Sequence, residues 1–470
     1  NEHFFLQMLM ALRKSAIQRT GTKAFTKIGP QFKIISDSLD FELTDAQKKV
    51  VKEIKLDLGR PFSMNRLLQG DVGSGKTIVS VLAATIAVAN NVQVALMVPT
   101  EILARQHFES FKKLSEIAHM TCALLVGGTS KNERQSILKG LAEGKIDIII
   151  GTHAIIQKDI VFKSLGFCIV DEQHRFGVSQ RGDLISKGKN PHVLAMTATP
   201  IPRTLAITYH GDMDLSIIDE MPKNRIPVIT KVVKELRLKK VYQFMIDEVT
   251  SGRQCMVVYP LVKESEKSDL AAASEMYSHL SGKVFSDLKV GLLHGQMKKE
   301  EKDSIMNDYK NNKIDILIST TVIEVGIDIP NASVMLIEHA ERFGLTQLHQ
   351  LRGRVGRGSE KSYCILVHRK VTDNSKKRLK IMESTSDGFI ISDEDLKIRG
   401  PGEFFGIRQS GFLKYKIANM LTDGPIIREA REAAFLVVKD DPSLSRTKHG
   451  LIRENFINEY QDKLEQVNIS

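Results

Sequence analysis

From residue 41 onward, short, nearly continuous apolar runs alternate with longer stretches in which apolar positions recur at helical spacing. The runs at 66–69, 94–98, 146–150, 167–170 and 193–196 predict strands buried on both faces, and such strands joined by helices predict a parallel α/β sheet. A second series of the same character occupies 255–259, 290–293, 314–318, 333–337 and 363–367. Between the two, Met221-Pro222-Lys223-Asn224-Arg225-Ile226-Pro227 has the proline and polar content of a linker. Ahead of them, residues 1–38 predict a helix over 4–12 and a basic connector ending near Gly29-Pro30. After about 371 the pattern changes to a basic helix (Lys376-Lys377-Arg378-Leu379-Lys380), a turn, a second helix and a Gly/Phe-rich loop.

The two series echo each other. Residues 145–156 read KIDIIIGTHAII and residues 313–324 read KIDILISTTVIE, identical at seven of twelve aligned positions. Each segment ends in a Thr-containing loop at the carboxyl end of its strand, where open α/β sheets bind ligands. The prediction is an α/β chain of two tandem homologous lobes with parallel sheets, followed by a C-terminal helical hairpin and loop. The expected division is a connector over 1–40, a first lobe over 41–222, a second over 223–370 and the extension over 371–470.

A chain of 470 residues, 42% hydrophobic and 26% charged, can build two or three such cores. Its 67 basic against 56 acidic residues give a net charge of +11, which by itself is a weak pointer to a polyanionic partner. The four cysteines (Cys122, Cys168, Cys255, Cys364) form no CxxC pair, so neither a zinc site nor a disulfide framework is expected, and Cys168 and Cys364 read as buried structural thiols. The longest apolar stretch, around 79–89, is too short to span a bilayer, and no secretory signal pattern opens the chain. A cytosolic protein without membrane contact is expected. The chain opens Asn1-Glu2-His3-Phe4, without an initiator methionine, which suits part of a longer protein.

Chemistry enters at Gly70-Asp71-Val72-Gly73-Ser74-Gly75-Lys76-Thr77, which fits G-x-x-x-x-G-K-[ST] at every fixed position, after an apolar strand and before an alanine- and valine-rich helix. The glycines let backbone N–H groups curl around phosphates, Lys76 reaches the β- and γ-phosphates, and the Thr77 hydroxyl ligates Mg²⁺. The helix that follows aims its positive end at the same anion. Asp171 and Glu172 close the apolar strand at 167–170 as a carboxylate pair, Asp171 suited to Mg²⁺ and Glu172 to polarising water. ATP and Mg²⁺ are the expected cofactors.

With these motifs the sequence resembles the superfamily 2 helicases, whose fold is a pair of RecA-like lobes. Asp171-Glu172-Gln173-His174 is similar to their DExH box. By that resemblance Phe41 and Gln47, with Leu43-Thr44, read adenine. Pro99-Thr100-Glu101, Gly127-Gly128 and Gly151-Thr152-His153 match strand-contact motifs, so Thr100, Gly128 and Thr152 face nucleic acid. Thr197-Ala198-Thr199-Pro200 resembles the motif that couples the ATP site to the nucleic acid, with Thr199 also read as a helix N-cap and Pro200 as the first helical residue. Ser319-Thr320-Thr321 through Gly326-Ile327-Asp328 matches the fifth motif, placing Thr320 at nucleic acid and Asp328 at the nucleotide. In Gln350-Leu351-Arg352-Gly353-Arg354-Val355-Gly356-Arg357, the sixth, Arg354 and Arg357 take the role of arginine fingers.

Within that superfamily the chain resembles the RecG family of bacterial branch-migrating DNA helicases over nearly its whole length. The phrases carrying the likeness are 65–77, 171–178, Glu341-Arg342-Phe343-Gly344-Leu345, 395–403 and Arg408-Gln409-Ser410-Gly411. The resemblance implies an ATP-driven translocase that remodels branched DNA, stalled forks and Holliday junctions, in recombination and repair. It implies a translocation hairpin with Arg378, Arg399 and Gln409 at its polar positions. It also implies duplex and branched DNA as partners, a single-strand-binding protein as a further candidate partner, a monomer, and the bacterial cytosol as its site. RecG proteins carry an oligonucleotide-binding wedge domain ahead of the motor, and this sequence is expected to start after it. Three other readings stand beside this one: a duplex DNA translocase of the transcription-repair-coupling type, which would need a polymerase-binding module; an RNA helicase, which would share the ATP motifs but against which the hairpin at 376–411 argues; and a catalytically impaired DNA-binding remnant.

Overall fold

The computed structural model describes residues 1–19, 21–202, 205–206, 211–222, 225–260, 275–320, 329–358, 360–400, 417–419 and 422–464. The chain divides into two compact units: Asn1–Gly70 with Ser74–Glu220 and Arg399–Ser470, and Asp71–Gly73 with Met221–Ile398. The break between the sheets falls at Glu220/Met221, where the proline-bearing segment begins.

In the first unit the described strands are β1 (Asn65–Gly70), β2 (Gln93–Met97), β3 (Cys122–Leu125), β4 (Ile148–Gly151), β5 (Leu165–Asp171), β6 (His192–Thr197) and β7 (Asp214–Ile218). They form one parallel sheet in the order β3-β4-β2-β5-β6-β1-β7. Helices α3 (Asp45–Leu58), α4 (Lys76–Ala89), α5 (Glu101–Ile117), α6 (Lys131–Glu143) and α7 (Val178–Ile185) connect or flank them. The central strands β2, β4 and β5 carry almost no exposed residue because helices cover both faces.

The second unit holds β8 (Ile229–Lys234), β9 (Gln254–Val258), β10 (Val290–Leu293), β11 (Ile316–Ser319), β12 (Ala332–Ile337) and β13 (Tyr363–His368), with α8 (Leu238–Thr250), α9 (Lys299–Lys310) and α10 (Leu345–Arg352). Its parallel sheet runs β10-β11-β9-β12-β13-β8. Numbered within its own unit, each sheet reads 3-4-2-5-6-1, with β7 added beyond β1 in the first. The repeated sequence is therefore the same strand, β4 and β11, in two copies of one topology.

The repeat extends to hydrogen bonds. Asp147 accepts from the Thr121 amide at 2.8 Å, and Asp315 from the Lys289 amide at 2.8 Å. Gln93 and Gln254 each open the neighbouring strand with a buried amide that donates to two carbonyls: Leu141 and Ile146 (3.0 and 2.9 Å), and Tyr309 and Ile314 (2.6 and 2.7 Å). After β5 and β12 the chain makes the same turn, through a left-handed residue (Glu172, φ 51°; His339, φ 50°) and a short 3₁₀ helix. A Phe-Gly step follows, and a glutamine caps the next helix (Gln180 on the Gly177 amide, Gln347 on the Gly344 amide, both 3.1 Å).

Three strands escaped the reading of apolar runs: β3, β7 and β8. All three are sheet edges, and their burial alternates or is partial. The helix expected over 4–12 runs Glu2–Arg19 (α1), and α2 (Pro30–Asp37) follows it. The extension begins with α11 (Asp373–Ser384) and α12 (Gly388–Arg399), the two helices of the expected hairpin. The Gly/Phe-rich loop at 401–416, with Gln409, lies outside the described residues, as do Thr321, Gly326, Ile327 and Asp328.

Helices α13 (Gly424–Asp440) and α14 (Gly450–Leu464) belong to the first unit, where they pack on α1. Phe5, Leu6, Met8 and Leu9 of α1 share a core with Ala434, Val438, Phe456 and Tyr460. Polar ties secure this core: His3 to Asp423 at 3.0 Å, Arg431 to Gln7 at 3.2 Å and to the Gly211 carbonyl at 3.1 Å, and Lys14 to Asp214 of β7 at 2.6 Å. The two ends of the chain thus form one helical layer on the first unit. Among the described residues no helix is long and apolar enough to cross a membrane.

Candidate ATP site and nucleic-acid interface

The phosphate loop runs from the carboxyl end of β1 to the first residue of α4. Gly75 stands at φ 87°, a left-handed conformation, and a Cβ there would lie 2.2 Å from Nε2 of Gln47; only glycine fits both demands. Lys76 is buried and donates from Nζ to the Gly70 carbonyl at 2.7 Å. Asp71 is buried and accepts from the Val72 amide at 2.6 Å. Thr77, half-buried, lies in the first turn of α4, beside Lys76.

Gln47 is part of the loop's support. It occupies the third position of α3, where Thr44 accepts from its amide (3.2 Å) and its Oε1 accepts from the Thr44 amide (2.9 Å), a reciprocal capping box. Its Nε2 then donates to the Ser74 carbonyl at 2.8 Å. Both atoms of a 1% exposed carboxamide are therefore engaged by the protein, while Phe41, ahead of the cap, is 42% exposed.

Two strands away from β1, the end of β5 presents Asp171 and Glu172, both buried. Burial pushes the Asp171 carboxyl up, but a hydrogen bond from His107, the charge of Lys76 and the Glu172 amide outweigh it and hold the group below its usual range. Asp171 is thus an ionised hard oxygen donor with a cation nearby. Asp171 and Thr77 together are a chemically suitable donor set for Mg²⁺, which favours oxygen ligands and keeps several waters. Glu172 follows in its left-handed turn, and His174 Nδ1 lies 3.5 Å from its Oε2. A non-glycine residue held there costs on the order of 1–2 kcal/mol, the kind of strain that clusters at functional sites.

His107 was not anticipated. It sits on the apolar stripe of α5 with Leu103, Ala104 and Phe111, and only its 2.8 Å contact from Nε2 to Asp171 Oδ2 separates it from an ordinary core residue.

The other motif residues of the first unit line the ends of its strands. Thr100 caps α5 by accepting from the Leu103 amide at 3.3 Å. Gly128 is exposed after β3, and Thr152 follows β4. Thr197 ends β6 and accepts from the Thr199 amide at 3.1 Å. The N-cap reading of Thr199 is corrected: residues 200–202 are not helical, and the helical backbone bond that follows, from the Ala206 amide at 2.9 Å, is accepted by the Pro202 carbonyl rather than by a carbonyl at 199. Gln69 of β1 donates to the Ile201 carbonyl at 2.7 Å, fixing this loop to the strand that leads into the phosphate loop.

In the second unit Thr320 follows β11, as Thr152 follows β4. Both hydroxyls are buried, at 3% and 2% exposure, and neither has a hydrogen-bond partner among the described residues. The two hydroxyls thus share one environment at the equivalent position of the two sheets. Arg354 is buried and Arg357 half-buried just beyond α10, Arg357 donating to the Gly353 carbonyl at 3.4 Å. Arg352, which the motif reading left without a role, is 3% exposed. It donates to the Met382, Thr385 and Ser386 carbonyls (3.0, 2.8 and 3.1 Å) and contacts Thr230 and His349. It pins the end of α11 to α10. Arg378 donates to the Glu341 carbonyl at 3.0 Å, and Asp395 of α12 accepts from Thr346 of α10 at 2.8 Å. Arg399 ends α12, half-buried.

Cys122, Cys168, Cys255 and Cys364 are unbridged; burial pushes the Cys122 and Cys364 thiols up to about 12, so they are not nucleophiles.

Residues 44–207 match the DEAD/DEAH box helicase family, 236–359 the helicase conserved C-terminal domain, and 385–470 the C-terminal part of domain 3 of the ATP-dependent DNA helicase RecG. The ATP-dependent DNA helicase RecG of Synechocystis sp. is 46% identical over 94% of this chain and 54% of its own length. That of Streptococcus pneumoniae is 50% identical over 92% of this chain and 64% of its own. A solved structure of RecG bound to a three-way DNA junction is 45% identical with a TM-score of 0.75, covering 91% of this chain and 56% of that one. The chain thus spans between half and two thirds of the length of these relatives.

Proposed function

We propose that this chain, similar over most of its length to the ATP-dependent DNA helicase RecG, is a DNA-stimulated ATPase of that family that steps along duplex DNA and remodels branched DNA, stalled forks and Holliday junctions, in recombination and repair. The observation that carries the proposal is the convergence, at the ends of β1 and β5, of a lysine-bearing phosphate loop with an ionised aspartate and a strained glutamate.

In this reading the amides of Gly70 to Thr77 and the Lys76 ammonium bind the phosphates of ATP. Thr77 and Asp171 would hold Mg²⁺, which when bound neutralises phosphate charge. Glu172 orients and polarises the attacking water. Arg354 and Arg357 neutralise the γ-phosphate in the reacting state, and Phe41, with Asp328, contributes to nucleotide binding. Thr100, Gly128, Thr152, Thr197, Thr199 and Thr320 carry the coupling to DNA; the place of Thr152 and Thr320 directly after the carboxyl ends of equivalent strands supports this. Arg378, Arg399 and Gln409 act in the translocation hairpin. The reading extends to a monomer acting in the bacterial cytosol, with a single-strand-binding protein as candidate partner.

The test is steady-state ATP turnover alone, with duplex DNA, with a three-way junction and with single-stranded RNA, over a salt series. Stimulation by duplex and junction, with apparent affinity falling steeply as salt rises, is expected. Stimulation by RNA alone, or none by DNA, would sink the proposal.

A further inference from the structure

We propose that His107 is a positioning residue that aims the Asp171 carboxylate, and that through it α5 links the DNA-facing Thr100 to the ATP site. The inference rests on the reading of Asp171 as the Mg²⁺ ligand and of Thr100 as a DNA contact.

The carboxylate of Asp171 is held at both oxygens. Oδ1 accepts from the Glu172 amide at 3.0 Å, and Oδ2 lies 2.8 Å from His107 Nε2. The first bond comes from the adjacent residue and moves with β5. The second comes from another element, so among the described residues His107 is the hydrogen-bond partner that can alter the aim of the carboxylate independently of the strand. His107 is 5% exposed and Asp171 8%, so no solvent replaces that bond when it lengthens. An N–H at Nε2 meets the geometry, which makes the ring an orienting donor of the kind that tunes metal ligands.

The helix that carries His107 is a rigid lever. α5 starts at Thr100, whose hydroxyl caps it, and Leu103, Ala104 and Phe111 bury the same face as His107. His107 lies seven positions after Thr100, about 10 Å along a helix rising 1.5 Å per residue. A displacement of the capped end therefore reaches the imidazole without passing through a loop. A histidine that merely filled the stripe would need no acidic partner and could be exchanged for an apolar side chain of similar volume.

The decisive variants are His107→Met, which fills the space without a donor, and His107→Gln, whose amide can donate to Asp171. Mg²⁺-dependent binding of a fluorescent ADP analogue, measured without DNA, reads the aim of Asp171; the ratio of DNA-stimulated to unstimulated turnover reads the link. In His107→Met the Mg²⁺ needed for half-maximal binding should rise about tenfold, as for other orienting donors behind a metal ligand. The stimulation ratio should fall, with little change in Tm, and His107→Gln should recover most of both. Should the methionine variant not fold, His107→Asn, polar but too short to reach, takes its place with the same expectation. Wild-type Mg²⁺ dependence, or a glutamine variant as impaired as methionine, overturns the positioning role. A shifted Mg²⁺ dependence with an unchanged stimulation ratio overturns the link through α5. Failure of DNA to stimulate the unmodified chain would instead count against the proposed function, leaving the Mg²⁺ measurement still decisive for His107.

Discussion

Gln47 Nε2 donates to the Ser74 carbonyl at 2.8 Å, so the cap of α3 and the phosphate loop share one carboxamide. Removing it frees a loop whose glycine at 75 has no conformational restraint of its own. Gln47→Ala should weaken nucleotide binding by about tenfold, equivalent to ~1.4 kcal/mol, and cost ~1 kcal/mol of stability through the lost cap. Gln47→Glu keeps the acceptor for Thr44 but cannot donate to Ser74, so it should retain stability and still bind nucleotide poorly. Titration with a fluorescent nucleotide, beside thermal unfolding, separates the two effects.

Lys76→Ala and Glu172→Gln should fail differently. The first removes the buried ammonium that meets the phosphates and should abolish turnover with saturating duplex DNA while the fold persists. The second preserves shape and the Asp171 site but cannot activate water, so ATP should remain bound for many wild-type turnover times. Loss of ATP binding in Glu172→Gln would make that residue structural.

Arg352→Ala should cut the hairpin loose. A buried guanidinium satisfying the Met382, Thr385 and Ser386 carbonyls leaves them unpaired when it is removed, at a cost of roughly 1–3 kcal/mol for each uncompensated group. Amide exchange at 382–388 should accelerate markedly with β9 and β12 unaffected. Uniform acceleration across the second unit would show instead that Arg352 supports the whole sheet.

Arg399→Ala should leave DNA-stimulated ATP turnover and stop translocation. Displacement of a third strand from a plain duplex triplex reports stepping directly. Equal loss of both activities would move Arg399 out of the hairpin's coupling role.

Phe456→Ala should destabilise the layer made by the chain ends. Phe456 is 1% exposed, within 6.3 Å of Phe5 and stacked on Tyr460 at 5.4 Å, and emptying such a site costs roughly 3–5 kcal/mol. Early unfolding should be confined to α1, α13 and α14, and Phe5→Ala should reproduce it. A single transition shifted for the whole first unit would show that this layer does not unfold separately.

The parallel α/β class, the central strands and the position of the phosphate loop are legible in the amino-acid sequence, because these are written locally. A strand buried on both faces must be continuously apolar, as 94–98 and 167–170 are, and a phosphate loop needs its glycines and lysine at fixed spacing. The repeat at 145–156 and 313–324 was equally visible because both copies must bury the same strand. The rest depends on packing between distant elements. Edge strands β7 and β8 are specified by neighbours that cover one side more than the other, so no continuous apolar run announces them, and β3, a short apolar run at 122–126, is only half-buried over most of its length. The union of α1 with α13 and α14 joins residues more than 400 positions apart through ordinary amphipathic faces. His107 and Arg352 look like a core residue and one arginine among several; what distinguishes them is a partner 64 residues away in one case and three carbonyls at the end of another helix in the other. Local pattern records which face a side chain turns inward, but the group it meets there is chosen by packing between elements distant in the chain.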